Sequence, residues 1–200
     1  MTVSLIYRHI TLYRWTMSLL YHGQYEQRFM RIAHLLQEND KNVLELCFGD
    51  VVIANYCRNS QRNWTGMDIN PAFVANARNQ GFNAMVVDLA LVDTLPKVDV
   101  CIMMGSLYHF HDQLERLFSL MCQAAPKIIL TEPIRNLSQR NDLLGWLARR
   151  SANVGKGDEA FRFNRESLLG ALQTVGDCFS YSHTIISEGR DMVVVMRPCV

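Results

Sequence analysis

Short apolar runs alternate with longer amphipathic segments along most of this chain. The predicted strands are Asn42–Leu46, Trp64–Asp68, Asn83–Val87, Val98–Met104 and Lys127–Thr131. The segments between them carry apolar residues at helical spacing, and the predicted helices are about 50–57, Asn70–Gly81 and His111–Ala124. This alternation predicts an α/β fold with a mostly parallel, doubly wound, Rossmann-like sheet and right-handed crossovers.

The two ends of the chain depart from this alternation. Residues from about 2 to 38 are predicted to be helical, in two pieces that break near His22–Gly23. Near the other end, Arg165–Val175 is a predicted helix, and Cys178–Ser187 and Met192–Arg197 are β-rich runs joined by a turn that contains glycine. We therefore predict a seven-stranded sheet with N-terminal helices and an antiparallel C-terminal hairpin.

Composition and charge narrow the class of protein. The chain of 200 residues fits one domain, 1–200, and its 49% hydrophobic and 20% charged residues are typical of a globular protein. A net charge of +1 without a basic run argues against a nucleic-acid partner. The six cysteines form no CxxC pair, so we expect neither a metal site nor a disulfide framework, and a cytoplasmic location. No apolar run is long enough for a transmembrane segment, and the N-terminus lacks the pattern of a signal peptide.

Acidic residues lie at or near the ends of several predicted strands. Glu45, Asp68 and Asp88 are placed in this way, and Met104 ends another strand. Ligands of open α/β sheets bind outside the carboxyl ends of the strands. A carboxylate after the second strand can accept hydrogen bonds from both ribose hydroxyls, and one after the third can accept from an adenine amine. The alternative is that these acids only cap helices or turns.

Five stretches carry a resemblance to a known family. They are Glu45–Gly49, Gly66–Asn70, Val87–Leu89, Asp99–Phe110 and Thr131–Pro133. In this order they resemble the first motif, the ribose-binding loop, the adenine-binding turn, the fourth motif and the end of strand five of the class I S-adenosylmethionine-dependent methyltransferases. The resemblance covers about half of the chain closely, and the terminal hairpin is similar to the reversed seventh strand of the family.

The resemblance implies S-adenosyl-L-methionine as the cofactor and methyl transfer by in-line displacement. It points to an oxygen or nitrogen of a small-molecule acceptor. The cofactor-binding residues that it implies are Tyr21, Glu45, Cys47, Gly49, Asp68, Ile69, Asp88, Leu89 and Met104. His109 follows the fourth strand and is the candidate catalytic base, with His111 as a second candidate and a structural role as the alternative.

Two segments outside these motifs are candidates for covering the site. Residues 1–40 are predicted to form a helical lid, in which Tyr21 and Tyr25 close over the cofactor and Arg28 or Arg31 reaches its carboxylate. The alternatives are an amphipathic helix packed on the domain, with Tyr25 in the core, and a membrane-surface contact. The same apolar helices are a candidate homodimer interface.

Residues 136–165 are predicted to form a substrate cap with a helix around Leu143–Arg150. Its aromatic side chains would line the acceptor site; they are Trp146, Phe161 and Phe163. Its basic side chains would bind an acidic group of the acceptor; they are Arg149, Arg150, Arg162 and Arg165. The alternative is a solvated connection.

The first loop differs from the family pattern. Family members usually carry three glycines there, whereas this chain has Cys47, Gly49 and Val51. This difference favours an alternative function, a catalytically silent binding or partner subunit that keeps the cofactor without turnover. A nicotinamide-dependent oxidoreductase is a third hypothesis, against which the absence of G-x-G-x-x-G argues.

Overall fold

The helices and strands follow the order that the apolar pattern predicts. The computed structural model describes residues 10–21, 23–135 and 161–199. The helices are α1 (Ile10–Leu20), α2 (Tyr25–Ala33), α3 (Val52–Asn59), α4 (Pro71–Asn79), α5 (Leu114–Ala124) and α6 (Arg165–Phe179), with a 3₁₀ helix at Leu107–Phe110. The strands are β1 (Asn42–Leu46), β2 (Asn63–Asp68), β3 (Asn83–Val86), β4 (Val100–Met104), β5 (Ile128–Pro133), β6 (Tyr181–Glu188) and β7 (Asp191–Pro198).

The seven strands form one sheet in the order β3-β2-β1-β4-β5-β7-β6. The first five strands run parallel, and β7 is antiparallel to both β5 and β6. The predicted fold class, a doubly wound parallel sheet with an antiparallel C-terminal hairpin and N-terminal helices, is confirmed. The order changes direction between β1 and β4, which is where open α/β sheets bind ligands.

Some element boundaries differ from those predicted. β5 continues beyond Thr131 to Pro133, because β7 pairs with it as far as Asp191. The helix expected from His111 begins only at Leu114, since a 3₁₀ helix occupies the segment before it.

The boundary between the last helix and the hairpin also differs from the predicted one. α6 runs to Phe179 rather than Val175, so Cys178 is helical and β6 begins at Tyr181. Ser180 ends α6 in the left-handed region, at φ 55°. A left-handed residue after a helix turns the chain sharply, and the apolar pattern does not record such a turn.

The core lies on both faces of the sheet. Alternate residues of β1 and β4, such as Val43 and Ile102, pack with α2, α3 and α4, whereas their neighbours Leu44 and Met103 pack with α5 and α6. A central parallel strand needs apolar residues on both faces, which explains the continuous apolar run of β4. The helices cover the two faces, and the loops that build the site lie at the carboxyl ends of the parallel strands, called the carboxyl edge of the sheet below.

Candidate active site

The loop after β1 adopts a conformation that favours glycine. Gly49 has φ 58°, and Cys47 has φ 52° although it carries a side chain. The left-handed region costs an L-residue about 1–2 kcal/mol. The N–H of Cys47 donates to the carbonyl of Met67 at 2.7 Å, which fixes the loop against the end of β2. The loop therefore keeps a glycine-type backbone, with strain at Cys47.

Asp68, the last residue of β2, joins this loop to the start of α4. Its Oδ2 accepts a hydrogen bond from the N–H of Gly49 at 3.1 Å, and its Oδ1 accepts from the N–H of Asn70 at 2.8 Å. The residue is 7% exposed. Burial raises the pKa of Asp68 from 3.8 to about 6, and the two backbone donors partly oppose this rise. Each carboxylate oxygen retains a lone pair that can accept from a ligand.

The helix α1 lies over the first loop. A Cβ added to Gly49 would lie 3.1 Å from the hydroxyl of Tyr13. Arg14 donates from Nε to both carboxylate oxygens of Asp50, at 3.0 and 2.9 Å, and from Nη2 to Oδ1 at 2.5 Å. Asp50 also accepts from the N–H of Val51 at 2.7 Å, just before α3 begins. This charged pair fastens α1 to the loop.

Arg28 and its neighbours form a second group at the same edge, beyond β4. Its Nε donates to Oδ2 of Asp191 at 2.7 Å, and its side chain is only 10% exposed. Its Nη2 lies 2.5 Å from the position that a Cβ on Gly105 would take, and Gly105 has φ 61°. Nη2 has no hydrogen-bond partner among the residues that the structure describes. The guanidinium of Arg28 therefore presents a buried donor beside the end of β4.

Tyr21 and the turn before β7 complete this group. The guanidinium carbons of Arg28 and Arg190 lie 4.8 and 3.8 Å from the centre of the Tyr21 ring. Burial raises the pKa of the Tyr21 hydroxyl, so the phenol stays protonated at neutral pH. Tyr21 packs against the guanidiniums in this arrangement, while Arg31 is exposed.

Glu45 lies one residue before the end of β1 and is completely buried. Its Oε2 accepts from the indole N–H of Trp64 at 2.8 Å. Burial raises the pKa of Glu45 well above its usual range, although the Trp64 donor acts against this. Its Oε1 has no hydrogen-bond partner within the described ranges. The side chain thus points into the helical layer below the edge, and its cofactor role stays a prediction.

The other residues expected to contact the cofactor surround this edge. Met104 ends β4 and is 7% exposed, while Ile69, after β2, is half-buried. Asp88 follows β3, and its Oδ1 accepts from the N–H of Ala90 at 3.1 Å. Leu89 is buried. The edge therefore brings together Asp68, Ile69, Asp88, Leu89 and Met104 with the first loop.

His109 lies in the 3₁₀ helix after β4. Its ring centre is 3.9 Å from that of Tyr108. Burial, aided by the positive charge of Arg162, lowers the pKa of His109 from 6.5 to about 4. The imidazole is therefore neutral near pH 7. His111 instead stacks on Phe161 at 4.1 Å and 9°.

Only the end of the predicted cap belongs to the described residues. Phe161 and Phe163 lie beside the 3₁₀ helix, with ring centres 4.9 Å apart. Arg162 stacks on Tyr108 at 3.9 Å, whereas Arg165 pairs with Glu188 at 2.6 Å. The predicted helix at 143–150, with Trp146, Arg149 and Arg150, lies outside the described residues.

Sequence reasoning missed Tyr13, Arg14, Glu132 and Asp191. Glu132 carried a usable signal, because it is an acid at the end of an apolar strand, as Asp68 is. The other three gave no such signal.

Residues 10–21, 23–135 and 161–199 contain neither a metal cluster nor a membrane-spanning helix. No group of three or more His, Cys, Asp or Glu side chains there could hold a metal ion. No helix in those ranges is both long and apolar enough to cross a bilayer.

A sheet of this order, with a buried carboxylate after β2 and a glycine-type loop after β1, defines a class I methyltransferase fold. The model of the methyltransferase domain family matches residues 20–176, well over half of the chain. The chain therefore belongs to this family, as an S-adenosyl-L-methionine-dependent methyltransferase. No curated protein matches the sequence.

Solved structures with the same fold are distant in sequence. A DhpI–SAM–HEP complex has a TM-score of 0.65 at 14% identity, covering 96% of this chain and 94% of that one. Magnesium protoporphyrin IX methyltransferase from Synechocystis PCC 6803 with bound SAH scores 0.63 at 15% identity, covering 87% and 83%. Human N-acetylserotonin methyltransferase in complex with SAM scores 0.62 at 15% identity, covering 98% of this chain and 58% of that one. These likenesses show the fold.

The residues at the edge fit S-adenosyl-L-methionine as the cofactor. The buried, incompletely bonded Nη2 of Arg28 provides a donor for a carboxylate beside Gly105. The carboxylate of Asp68 provides acceptors for hydroxyl groups beside Gly49. These two groups have the chemistry that the two ends of the cofactor require.

Proposed function

We propose that this protein transfers a methyl group from S-adenosyl-L-methionine to an oxygen or nitrogen of a small-molecule acceptor. One observation carries the proposal: a buried hydrogen-bond acceptor, Asp68, and a buried donor, Arg28, both lie at the carboxyl ends of the strands where the strand order changes direction. The acceptors named for two structural neighbours, magnesium protoporphyrin IX and N-acetylserotonin, are small molecules and support this choice.

In this proposal the carboxylate of Asp68 accepts hydrogen bonds from the ribose hydroxyls, while Ile69, Asp88 and Leu89 surround the adenine. Cys47 and Gly49 allow the backbone to approach the cofactor closely.

At the other end of the cofactor, Arg28 binds the carboxylate of the methionine portion, which a guanidinium suits because of its fixed fork of donors. Tyr21, stacked on Arg28, holds the guanidinium in place, and Met104 lines the floor. Glu45, near the end of β1, remains a predicted cofactor contact.

The cofactor would supply a methyl group on a sulfonium, whose sulfur leaves readily as a neutral thioether. The protein chiefly aligns the acceptor with that methyl group and excludes water. His109, neutral near pH 7, lines the acceptor side and can accept a hydrogen bond from the acceptor. Within the predicted lid of residues 1–40, α1 covers the first loop, where the pair of Arg14 and Asp50 fastens it.

Calorimetric titration with S-adenosylhomocysteine and 5′-methylthioadenosine tests this proposal. The second ligand lacks the amino-acid carboxylate, so a contact with Arg28 affects only the first. We expect Arg28→Lys to weaken S-adenosylhomocysteine binding about tenfold or more, with 5′-methylthioadenosine unchanged. Arg31→Lys, on an exposed position of the same helix, is the matched control. Equal losses for both ligands would refute the contact, and no binding by the wild type would refute the cofactor site.

A catalytically silent cofactor-binding subunit is the second candidate function. The observation that favours it is the strained Cys47 at a position where the family carries glycine. Binding of S-adenosylmethionine without formation of S-adenosylhomocysteine, across a panel of hydroxyl and amine acceptors, would support it.

The remaining expectations about partners stay predictions. α1 exposes Leu12, Trp15 and Leu19, with Trp15 64% exposed, on the helices expected to form a homodimer. The expected absence of a nucleic-acid partner and the expected cytoplasmic location also stay predictions.

A further inference from the structure

Glu132, the fifth residue of β5, holds a carboxylate that is only half used. The residue is 2% exposed. Its Oε2 accepts a hydrogen bond from the N–H of Leu107 at 3.0 Å. Its Oε1 is also buried, yet it has no hydrogen-bond partner in the described part of the chain. A buried carboxylate oxygen without a partner is costly, so an unpaired one points to a ligand that completes it.

The strand register places this carboxylate next to the proposed site. Thr131, the preceding residue, pairs with Met104, and its carbonyl accepts from the N–H of Gly105 at 2.6 Å. Successive residues of a strand face opposite sides of the sheet, so Glu132 faces the side on which Leu130 and Leu107 are packed. Glu132 thus lies where the chain leaves Gly105 for the 3₁₀ helix that contains His109.

We propose that Oε1 of Glu132 binds the nucleophilic O–H or N–H of the acceptor and takes up its proton during methyl transfer. This inference rests on the proposed function, and it adds a catalytic group that the family resemblance did not supply. Oε2 is held by the backbone of Leu107, so Oε1 has a fixed direction. An acceptor hydrogen bonded to Oε1 would have its nucleophilic atom oriented by the same contact.

The atoms and charges of the step balance without another reactant. The bond between the methyl carbon and the sulfonium sulfur breaks, and the methyl group forms a bond with the acceptor oxygen or nitrogen. The electron pair of the broken bond stays on sulfur, which becomes a neutral thioether. The acceptor proton moves to Oε1, and the resulting carboxylic acid returns it to water after the products leave.

The surroundings of Glu132 favour its protonated form. Burial raises the pKa of Glu132 from 4.5 to about 8; the Leu107 donor, Arg28 and Arg162 lower it, and Asp191 raises it. Four charged or titratable groups face Glu132; they are Arg28 of α2, Arg162 before α6, Asp191 at the start of β7 and Tyr21 after α1. At pH 7 about one-tenth of Glu132 is ionised, and this carboxylate is a far stronger base than His109, whose pKa is about 4.

A pair of cofactor analogues tests the proposal without knowledge of the acceptor. Sinefungin carries an amine-bearing carbon where the cofactor carries its methyl-sulfonium group, whereas S-adenosylhomocysteine has a thioether sulfur without a substituent there. If Oε1 faces the path of the methyl group, the amine of sinefungin will donate to it. We expect Glu132→Gln to lower the ratio of the sinefungin affinity to the S-adenosylhomocysteine affinity about tenfold or more at pH 8.5, where Glu132 is ionised.

The control is Glu166→Gln, which removes an exposed carboxylate in the first turn of α6 and should leave the ratio unchanged. In the wild type, the same ratio should increase as pH is raised from 6.5 to 8.5, because Glu132 ionises over this range. If Glu132→Gln does not fold, this pH dependence alone tests whether Oε1 of Glu132 faces the path of the methyl group.

The outcomes separate the two proposals. If the wild type binds S-adenosylhomocysteine and the ratio responds neither to pH nor to Glu132→Gln, Glu132 is structural and this inference is overturned, while the cofactor site stands. If the wild type binds neither analogue, the proposed function fails and the role of Glu132 fails with it.

Discussion

Asp68 makes cofactor affinity depend on pH in a way that can be calculated. Its carboxylate is buried, with one backbone donor on each oxygen, and its pKa is raised to about 6. Ribose hydroxyls would donate to the ionised carboxylate, so binding requires Asp68 to lose its proton. We therefore predict that S-adenosylhomocysteine binds more weakly below pH 6.

The magnitude follows from the ionised fraction. With a pKa of about 6, Asp68 is about nine-tenths ionised at pH 7 and about one-tenth at pH 5, so the affinity should fall about tenfold between them. The unligated protein should behave in the opposite direction. Because the folded-state pKa lies above the ordinary 3.8, stability is highest at acid pH with respect to Asp68, and about 3 kcal/mol is lost as pH rises from about 4 to about 6.

Calorimetric titration at pH 7 and pH 5 measures the affinity. Asp68→Asn should bind weakly at both pH values and lose the dependence, since the amide cannot ionise. Asp177→Asn, an exposed substitution on α6, should retain the behaviour of the wild type. Equal wild-type affinity at the two pH values, or full affinity in Asp68→Asn, would show that Asp68 is not the ribose acceptor.

Three further substitutions test the loops and the lid. Cys47→Gly should change the free energy of unfolding in urea by less than about 1 kcal/mol, because relief of the left-handed strain offsets the added entropy of the unfolded chain and the lost packing of the thiol; a loss of several kcal/mol would contradict the strain. Arg14→Ala should lower it by about 1–3 kcal/mol, since Asp50 is left buried without its charged partner, and should speed dissociation of S-adenosylhomocysteine in stopped flow; unchanged rates would argue against a lid. Gly105→Ala should cost at least about 1–2 kcal/mol in thermal unfolding, whereas Gly189→Ala, where the space is open, should cost much less; equal costs would contradict the crowding at Gly105.

The sequence was informative where chemistry and pattern coincide along a short stretch. Apolar runs marked the five parallel strands, and Asp68 could be placed at an edge because it directly follows one of them. The contact between Arg28 and Asp191 joins residues 163 positions apart, and local periodicity carries no information about such a pair. For the same reason, Tyr13 could not be placed over Gly49 from the amphipathic pattern of α1 alone.

The backbone of the first loop shows a different limit. Cysteine at position 47 is visible in the sequence, and its small size made it compatible with a tight loop. Its positive φ depends on how the chain turns directly after β1, where the N–H of Cys47 donates to the carbonyl of Met67 in the neighbouring strand β2. Only the structure shows that Cys47 adopts the left-handed conformation that glycine favours.

The reversed direction of β7 determines which parts of the chain can be modified. Because β7 is antiparallel to β5, it starts with Asp191 at the edge where the parallel strands end, and it finishes with Pro198 at the opposite edge. A label or fusion partner joined after β7 would therefore leave the protein on the side remote from the cofactor. An insertion in the turn before Asp191, in contrast, would displace the counter-ion of Arg28 and disturb ligand binding directly.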